Sequence, residues 1–262
     1  MRGLRLFELE DQAWLPRPIR DAGTDYIRFM WERGAYQPIV RRLKEALIAT
    51  GSRTIVDLCS GGGGPVVAVQ RALDEAGLVV DFILTDKYPN IRAFQYAHER
   101  FIGRIRFIDQ PVDAAAVPDH LNGFRTMFAA LHHFSPEAVR RTLQDAVVKH
   151  QPIALFDMTR GTPPPPSMAI LGNPLGVVLA APFVRPFRWS RLFWTYLVPI
   201  VPLYLTWDAF VSGLRLHSAQ ELQELVASLP PNDYVWQVGG EKFPRSITYV
   251  LGYPQRNAAQ VI

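Results

Sequence analysis

The chain has 262 residues, 48% hydrophobic and 20% charged, with a net charge of +4, enough apolar content for one large domain with a proper core. The basicity is scattered, with no long Lys/Arg run of the kind that marks a nucleic-acid arm. One cysteine, Cys59, excludes an internal disulfide and fits a reducing compartment. The first residues, MRGLRLFELEDQAW, lack the apolar core of a secretory signal, so a cytoplasmic protein is expected.

Residues 1–50 read as an N-terminal helical cap. Thr24 is expected to cap a short helix running to about Arg33, and Ile39, Val40, Leu43, Leu47 and Ile48 recur at helical spacing before Gly51. Thr54–Pro65, TIVDLCSGGGGP, follows. Thr54-Ile55-Val56 has the β-branched composition of a strand buried on both faces. Asp57 stands at its end, then four glycines, then Pro65 at the start of an apolar helical run. A strand, a glycine turn and a helix start let a ligand approach bare amides at a positive helix end. The dinucleotide fingerprint G-x-G-x-x-G fails, since its third glycine would fall on Val66 or Val67. No lysine lies near for a P-loop.

Leu78–Thr85 reads as a second strand ending at Asp86, 29 residues past Asp57. Asn90–Glu99 reads as a helix and Ile105–Ile108 as a third strand. Arg125–Ala130 is the fourth, followed by Leu131-His132-His133-Phe134, and Ser135-Pro136-Glu137 opens the next helix with cap, proline and first-turn acid. Both histidines therefore stand at the carboxyl end of a central strand, where open parallel sheets bind ligands. Pro152–Met158 is the fifth strand. Ser218-Ala-Gln-Glu221 is a capping box opening Ala219–Leu229, and Tyr234–Gly239 and Ser246–Tyr253 form a final hairpin.

An acid at the end of the first strand before a glycine turn resembles motif I of the class I S-adenosylmethionine (SAM)-dependent methyltransferases, D/E-x-G-x-G-x-G. Aligned on Asp57, Gly61 and Gly63 are the second and third glycines, and Cys59 replaces the first. The run DLCSGGGGP with HHFSPE looks like a bacterial group of such enzymes. The resemblance implies a Rossmann-like, seven-stranded, mostly parallel sheet with an antiparallel last strand and helices on both faces. The cofactor core is 51–160, an apolar insertion follows the fifth strand at 161–217, and residues 218–262 complete the sheet. The implied cofactor contacts are Asp57, Leu58, Cys59, Ser60, Gly61 and Gly63, with Asp86 on the ribose and Lys87 beside it. Asp113 and Ala114 are implied at the adenine, with Asp109 as the alternative register. Family motif IV has an acid near the start of the fourth strand, where this chain has Arg125.

Methyl transfer from a sulfonium needs alignment and exclusion of water, and a base only for a protonated acceptor. His133 is favoured over His132 for that base, being one residue nearer Ser135. Cys59 has no evident base beside it and is read as a turn residue. No metal ligand set is assigned.

Within the insertion, Ser167–Val184 and Leu192–Trp207 are uncharged over 18 and 16 residues, joined by a loop bearing Arg185, Arg188, Trp189 and Arg191. Two readings stay open: an apolar lid over a small acceptor, or a hairpin at 167–207 touching a membrane surface with its arginines among headgroups. Four prolines and the short runs favour the lid. The expected function is methyl transfer to an O or N of a small apolar or aromatic molecule. The alternatives are a lipid or quinone-like acceptor at a membrane, or SAM binding without transfer. No nucleic-acid partner is expected, and the oligomeric state is open.

Overall fold

The structure, a computed structural model, describes residues 6–33, 37–159, 166–241 and 247–255. Tyr36, most of the Pro163–Pro166 tract, Pro244 and Ser246 lie outside them. The strands β1 (Thr54–Leu58), β2 (Asp81–Leu84), β3 (Ile105–Phe107), β4 (Phe124–Phe128), β5 (Ile153–Met158), β6 (Tyr234–Glu241) and β7 (Ile247–Pro254) form one sheet. Their order is β3-β2-β1-β4-β5-β7-β6. β1 to β5 are parallel, β7 runs antiparallel to β5, and β6 pairs antiparallel with β7. The expected architecture, one reversed strand included, is the one observed.

The alternation of β1 explains why both faces are covered. Ile55 faces a core with Leu43 and Leu47 of α2 (Gln37–Thr50), Val66 and Leu73 of α3 (Gly64–Glu75) and Phe94 of α4 (Ile91–Arg100). Val56 and Leu58 face the other way, onto Val139 and Leu143 of α5 (Pro136–Val148) and Leu222 of α9 (Ala219–Ala227). These side chains are at most 1% exposed, and each contributes about 1.5–3 kcal/mol on burial. The second strand is shorter than its apolar run. Only Asp81–Leu84 ladders with β1, while the carbonyl of Val80 is taken by the side chains of Gln70 and Arg104.

A third cluster joins chain segments that sequence reading kept apart. Ile19, Ala22 and Tyr26 of α1 (Arg17–Trp31) pack on Val177 of α6 (Pro166–Ala180) and on Val201, Tyr204 and Leu205 of α8 (Ile200–Arg215). Gly23 makes this possible, because a Cβ there would sit 1.3 Å from the Tyr204 hydroxyl. α1 and the insertion are therefore one helical layer, while α2, the rest of the expected cap, packs on the sheet. Thr24 caps nothing: it is buried in mid-helix, because Pro18 in the first turn starts α1 well before the expected cap, at Arg17. Only some of the insertion's prolines interrupt it: Pro182 follows α6 and Pro199 stands before α8, whereas Pro174 lies inside α6 and Pro202 inside the first turn of α8. The short α7 (Trp189–Leu192), a π-turn (Phe193–Leu197) and α8 meet at a bend of 80°.

The arginine loop corrects one expectation. Arg191 is 1% exposed and sits 3.2 Å from Asp25 of α1, and Arg188 lies 2.7 Å from the same carboxylate. Burying a guanidinium without a partner is costly, and Asp25, itself buried and also paired with Arg28, supplies one. Two of the three arginines thus lock the insertion to α1 instead of facing headgroups.

Candidate active site

The loop after β1 is a tight turn held by its own hydrogen bonds. Ser60 donates from Oγ to the Asp57 carboxylate at 2.6 Å, and the Gly63 amide donates to the Ser60 carbonyl. Three residues of the turn are left-handed: Cys59 (φ +55°), Gly61 (+48°) and Gly63 (+67°). Cys59 thus occupies a glycine-type conformation, strained for a side chain, at the position where motif I has its first glycine. Burial pushes its thiol pKa up, which leaves it inert as a nucleophile at neutral pH. A Cβ on Gly61 would meet nothing nearer than 3.9 Å, so its upper side is open. Gly62 and Gly64 are covered by α1, with Thr24 and Trp31 against them.

Asp86, just past β2, accepts the Gly61 amide at 2.8 Å through Oδ2 and the Tyr88 amide at 2.8 Å through Oδ1. Burial raises its carboxyl above the usual range, opposed by those amides. Asp57, 2% exposed, braces the loop from below: Ser60 and Thr126 donate to it, and burial raises its carboxyl to about 7.

One cleft of about 2250 Å³ opens over this loop and the loop after β4. These flank the switch point of the sheet, between β1 and β4. Cys59, Ser60, Gly61, Asp86, Lys87, His132 and His133 line the cleft. Asp57, Leu58 and Gly63 stand behind the lining as supports. Asp113 and Ala114 also lie off it, and so does Asp109. Asp113 caps its own loop through the Ala115 amide and pairs with Lys87 at 3.0 Å. Arg125 pairs with Asp145 on α5 at 2.7 Å, also away from the cleft.

The histidines occupy a single 3₁₀ turn, Leu131–His133, with ring centroids 4.3 Å apart. Asp157, at the end of β5 and 2% exposed, accepts both the His132 amide (2.8 Å) and His132 Nδ1 (2.9 Å). A carboxylate accepts, so Nδ1 is the donor of this pair and Nε2 is the ring nitrogen turned away from Asp157. His133 instead faces the N-terminal segment, with Nδ1 3.5 Å from Asp11 and Nε2 3.8 Å from Glu8. Burial pulls its pKa down, but the Asp11 hydrogen bond and the Glu8 charge outweigh this and hold it above the ordinary value.

Sequence reading missed the acids opposite. Glu8 binds Arg215 of α8 at 2.9 Å. Glu10 accepts the Thr24 hydroxyl, and burial lifts its carboxyl to about 7. Asp208 of α8 accepts the Leu9 and Glu10 amides at 2.6 and 2.9 Å. Residues 8–11 are thus strapped between α8 and the histidine turn.

No protein-family model matches the chain, and no curated protein sequence does either. Among solved structures, the O-methyltransferase NcsB1 from neocarzinostatin biosynthesis, in complex with SAM and 2-hydroxy-5-methyl naphthoic acid, aligns at a TM-score of 0.51 and 14% identity, over 91% of this chain and 59% of that one. PigF with S-adenosylhomocysteine (SAH) aligns at 0.50 and 13%, over 93% and 62%. An O-methyltransferase family protein from Burkholderia thailandensis gives 0.48 and 17%, over 89% and 60%. The chain spans about three-fifths of the length of these three structures. The fold is the Rossmann-like fold seen in the O-methyltransferase NcsB1 bound to SAM and in PigF bound to SAH.

Proposed function

We propose that the chain is a SAM-dependent methyltransferase acting on a hydroxyl or amine of a small apolar or aromatic molecule. The observation that carries this reading is the shared cleft. A left-handed glycine turn with Asp86 lies on one side of it, and His132, fixed by Asp157, on the other. The residues fit the cofactor. Gly61 is open above, and Asp86 spreads its backbone contacts over both oxygens, Gly61 on one and Tyr88 on the other, so its roughly four lone-pair sites are not filled and can take ribose hydroxyls. SAM would supply an activated methyl group. The cleft has room for more than one drug-sized ligand.

The chain's own residues then have three tasks. Gly61 and Asp86 orient the cofactor, and α1 together with α8 excludes water. His132 Nε2 takes the acceptor proton, while Asp157 steadies the imidazolium that forms. His132 suits this better than His133, whose ring is drawn to Glu8 and Asp11 and favours its protonated form. The aromatic hydroxyl ligand of NcsB1 supports a similar acceptor class here. Incubation with SAM and a panel of phenols, naphthols and isoprenoid phenols, read by mass spectrometry, tests this. A product heavier by one methylene, with SAH formed in step, is expected. SAH binding without any methylated product across the panel would favour SAM binding without transfer.

One observation favours an acceptor that resides in a bilayer. Leu175, Leu179, Phe183, Trp189, Leu197 and Leu203 of the insertion are each more than half exposed, and a ridge of large exposed apolar side chains marks an interaction surface. Among the described residues no single helix is long and apolar enough to cross a membrane, but Trp189–Leu197 with Ile200–Arg215 has the composition of a re-entrant pair. The ridge runs along α8 to Leu214, which is exposed and also lines the cleft. A lipid surface is the partner this ridge suits, with the acceptor entering sideways from it.

A further inference from the structure

The geometry points to a divalent transition-metal site formed by Glu8, His132 and His133. One nitrogen from each ring and one oxygen of Glu8 lie within 4.8 Å of one another. The donors come from two chain ends of the cleft, the N-terminal strap and the turn after β4, and each is oriented from behind.

His132 Nδ1 is held by Asp157 at 2.9 Å, and His133 Nδ1 faces Asp11 at 3.5 Å. This leaves both Nε2 atoms for a metal, the carboxylate–histidine–metal arrangement that fixes tautomer and ring orientation. Glu8 is buried; its Oε1 is anchored by Arg215 at 2.9 Å, while Oε2 is turned to His133 Nε2 at 3.8 Å. A tetrahedral cation about 2.0–2.1 Å from each ligand needs donors roughly 3.3 Å apart. Small rotations of Glu8 and the rings close that difference.

Two imidazoles and one carboxylate select zinc, cobalt or a similar first-row divalent ion over magnesium or calcium, which prefer all-oxygen sites. The strap of residues 8–11, tied to α8 through Asp208, brings the carboxylate to the cleft. The cation site does not rest on the methyltransferase reading. Were both correct, the ion would occupy the His132 lone pair needed as base, and turnover would fall as the site fills.

The test is titration of untagged, full-length protein with cobalt(II) alone, followed by visible absorption. One equivalent is expected to bind, with ligand-field bands of a low-coordinate site that a large excess of magnesium does not remove. Affinity should drop at least tenfold in Glu8→Gln and in His133→Ala and stay unchanged in Asp113→Asn, with folding checked by thermal melting. His133 is about one-third exposed, so its variant keeps the test available if Glu8→Gln unfolds. No stoichiometric binding by the wild type, or full affinity in either folded variant, overturns the site. SAH affinity, measured in parallel, uses Gly61 and Asp86 and reports on the cofactor reading separately.

Discussion

Asp157 holds His132 twice, at the backbone amide and at Nδ1, which sets the direction the ring faces in the cleft. As the proposed base, His132 should be separable from its neighbour. With an acceptor found in the product screen, His132→Ala is expected to lower kcat about 10²–10⁴-fold and leave SAH affinity within twofold. His133→Ala should lower kcat by less than tenfold. Equal losses in the two would place the proton transfer elsewhere.

Cys59 sits at φ +55°, where a Cβ is strained and glycine is not. Cys59→Gly should match or exceed the wild-type melting temperature and retain SAH binding. Cys59→Val, β-branched in the same conformation, should lower it by several degrees. A stable valine variant would contradict the left-handed turn.

Glu10 gives a pH dependence with a definite sign. Burial raises its carboxyl from 4.5 to about 7, with the Thr24 hydroxyl opposing and Asp208 adding to the shift. Between those values the native state holds a proton that the unfolded chain releases, so this group's contribution to stability falls as pH rises from about 4.5 to about 7. Glu10→Gln, which mimics the protonated form, should gain in melting temperature relative to wild type across that window and level off above it. A difference that does not change between pH 5 and pH 8 would contradict the shift.

The apolar ridge predicts co-sedimentation with liposomes. Because Arg188 and Arg191 are tied to Asp25, reversing their charge would damage the fold, and the informative variant is the double change Trp189→Asp, Leu197→Asp. These side chains are 78% and 73% exposed. Wild type should pellet with vesicles of mixed zwitterionic and anionic lipid, and the variant should stay in the supernatant. Equal partitioning of the two would remove the ridge from any membrane role.

Local patterns carried the sheet. Short apolar, β-branched runs, the Ser135 and Ser218 caps and the glycine turn all lie where residue order placed them, because each depends on neighbours within a few positions. What residue order hid is long-range. The Leu9 amide meets Asp208 across 199 positions, and His132 meets Asp157 across 25. No local spacing announces such pairs. Asp157 did have a signal: like Asp57 and Asp86 it is an acid at the carboxyl end of a buried strand, in PIALFDM. Thr24 misled because a hydroxyl in a polar stretch imitates a cap, whereas the stronger start signal was Pro18.

We propose that the glycine turn and Asp86 hold the cofactor. Calorimetric titration of the purified chain with SAH tests it most directly. Micromolar, one-to-one binding is expected for the wild type, weakened at least tenfold in Asp86→Ala with the fold intact. A folded wild type that takes up no SAH, or an Asp86→Ala variant that binds it as tightly as the wild type, would contradict the claim.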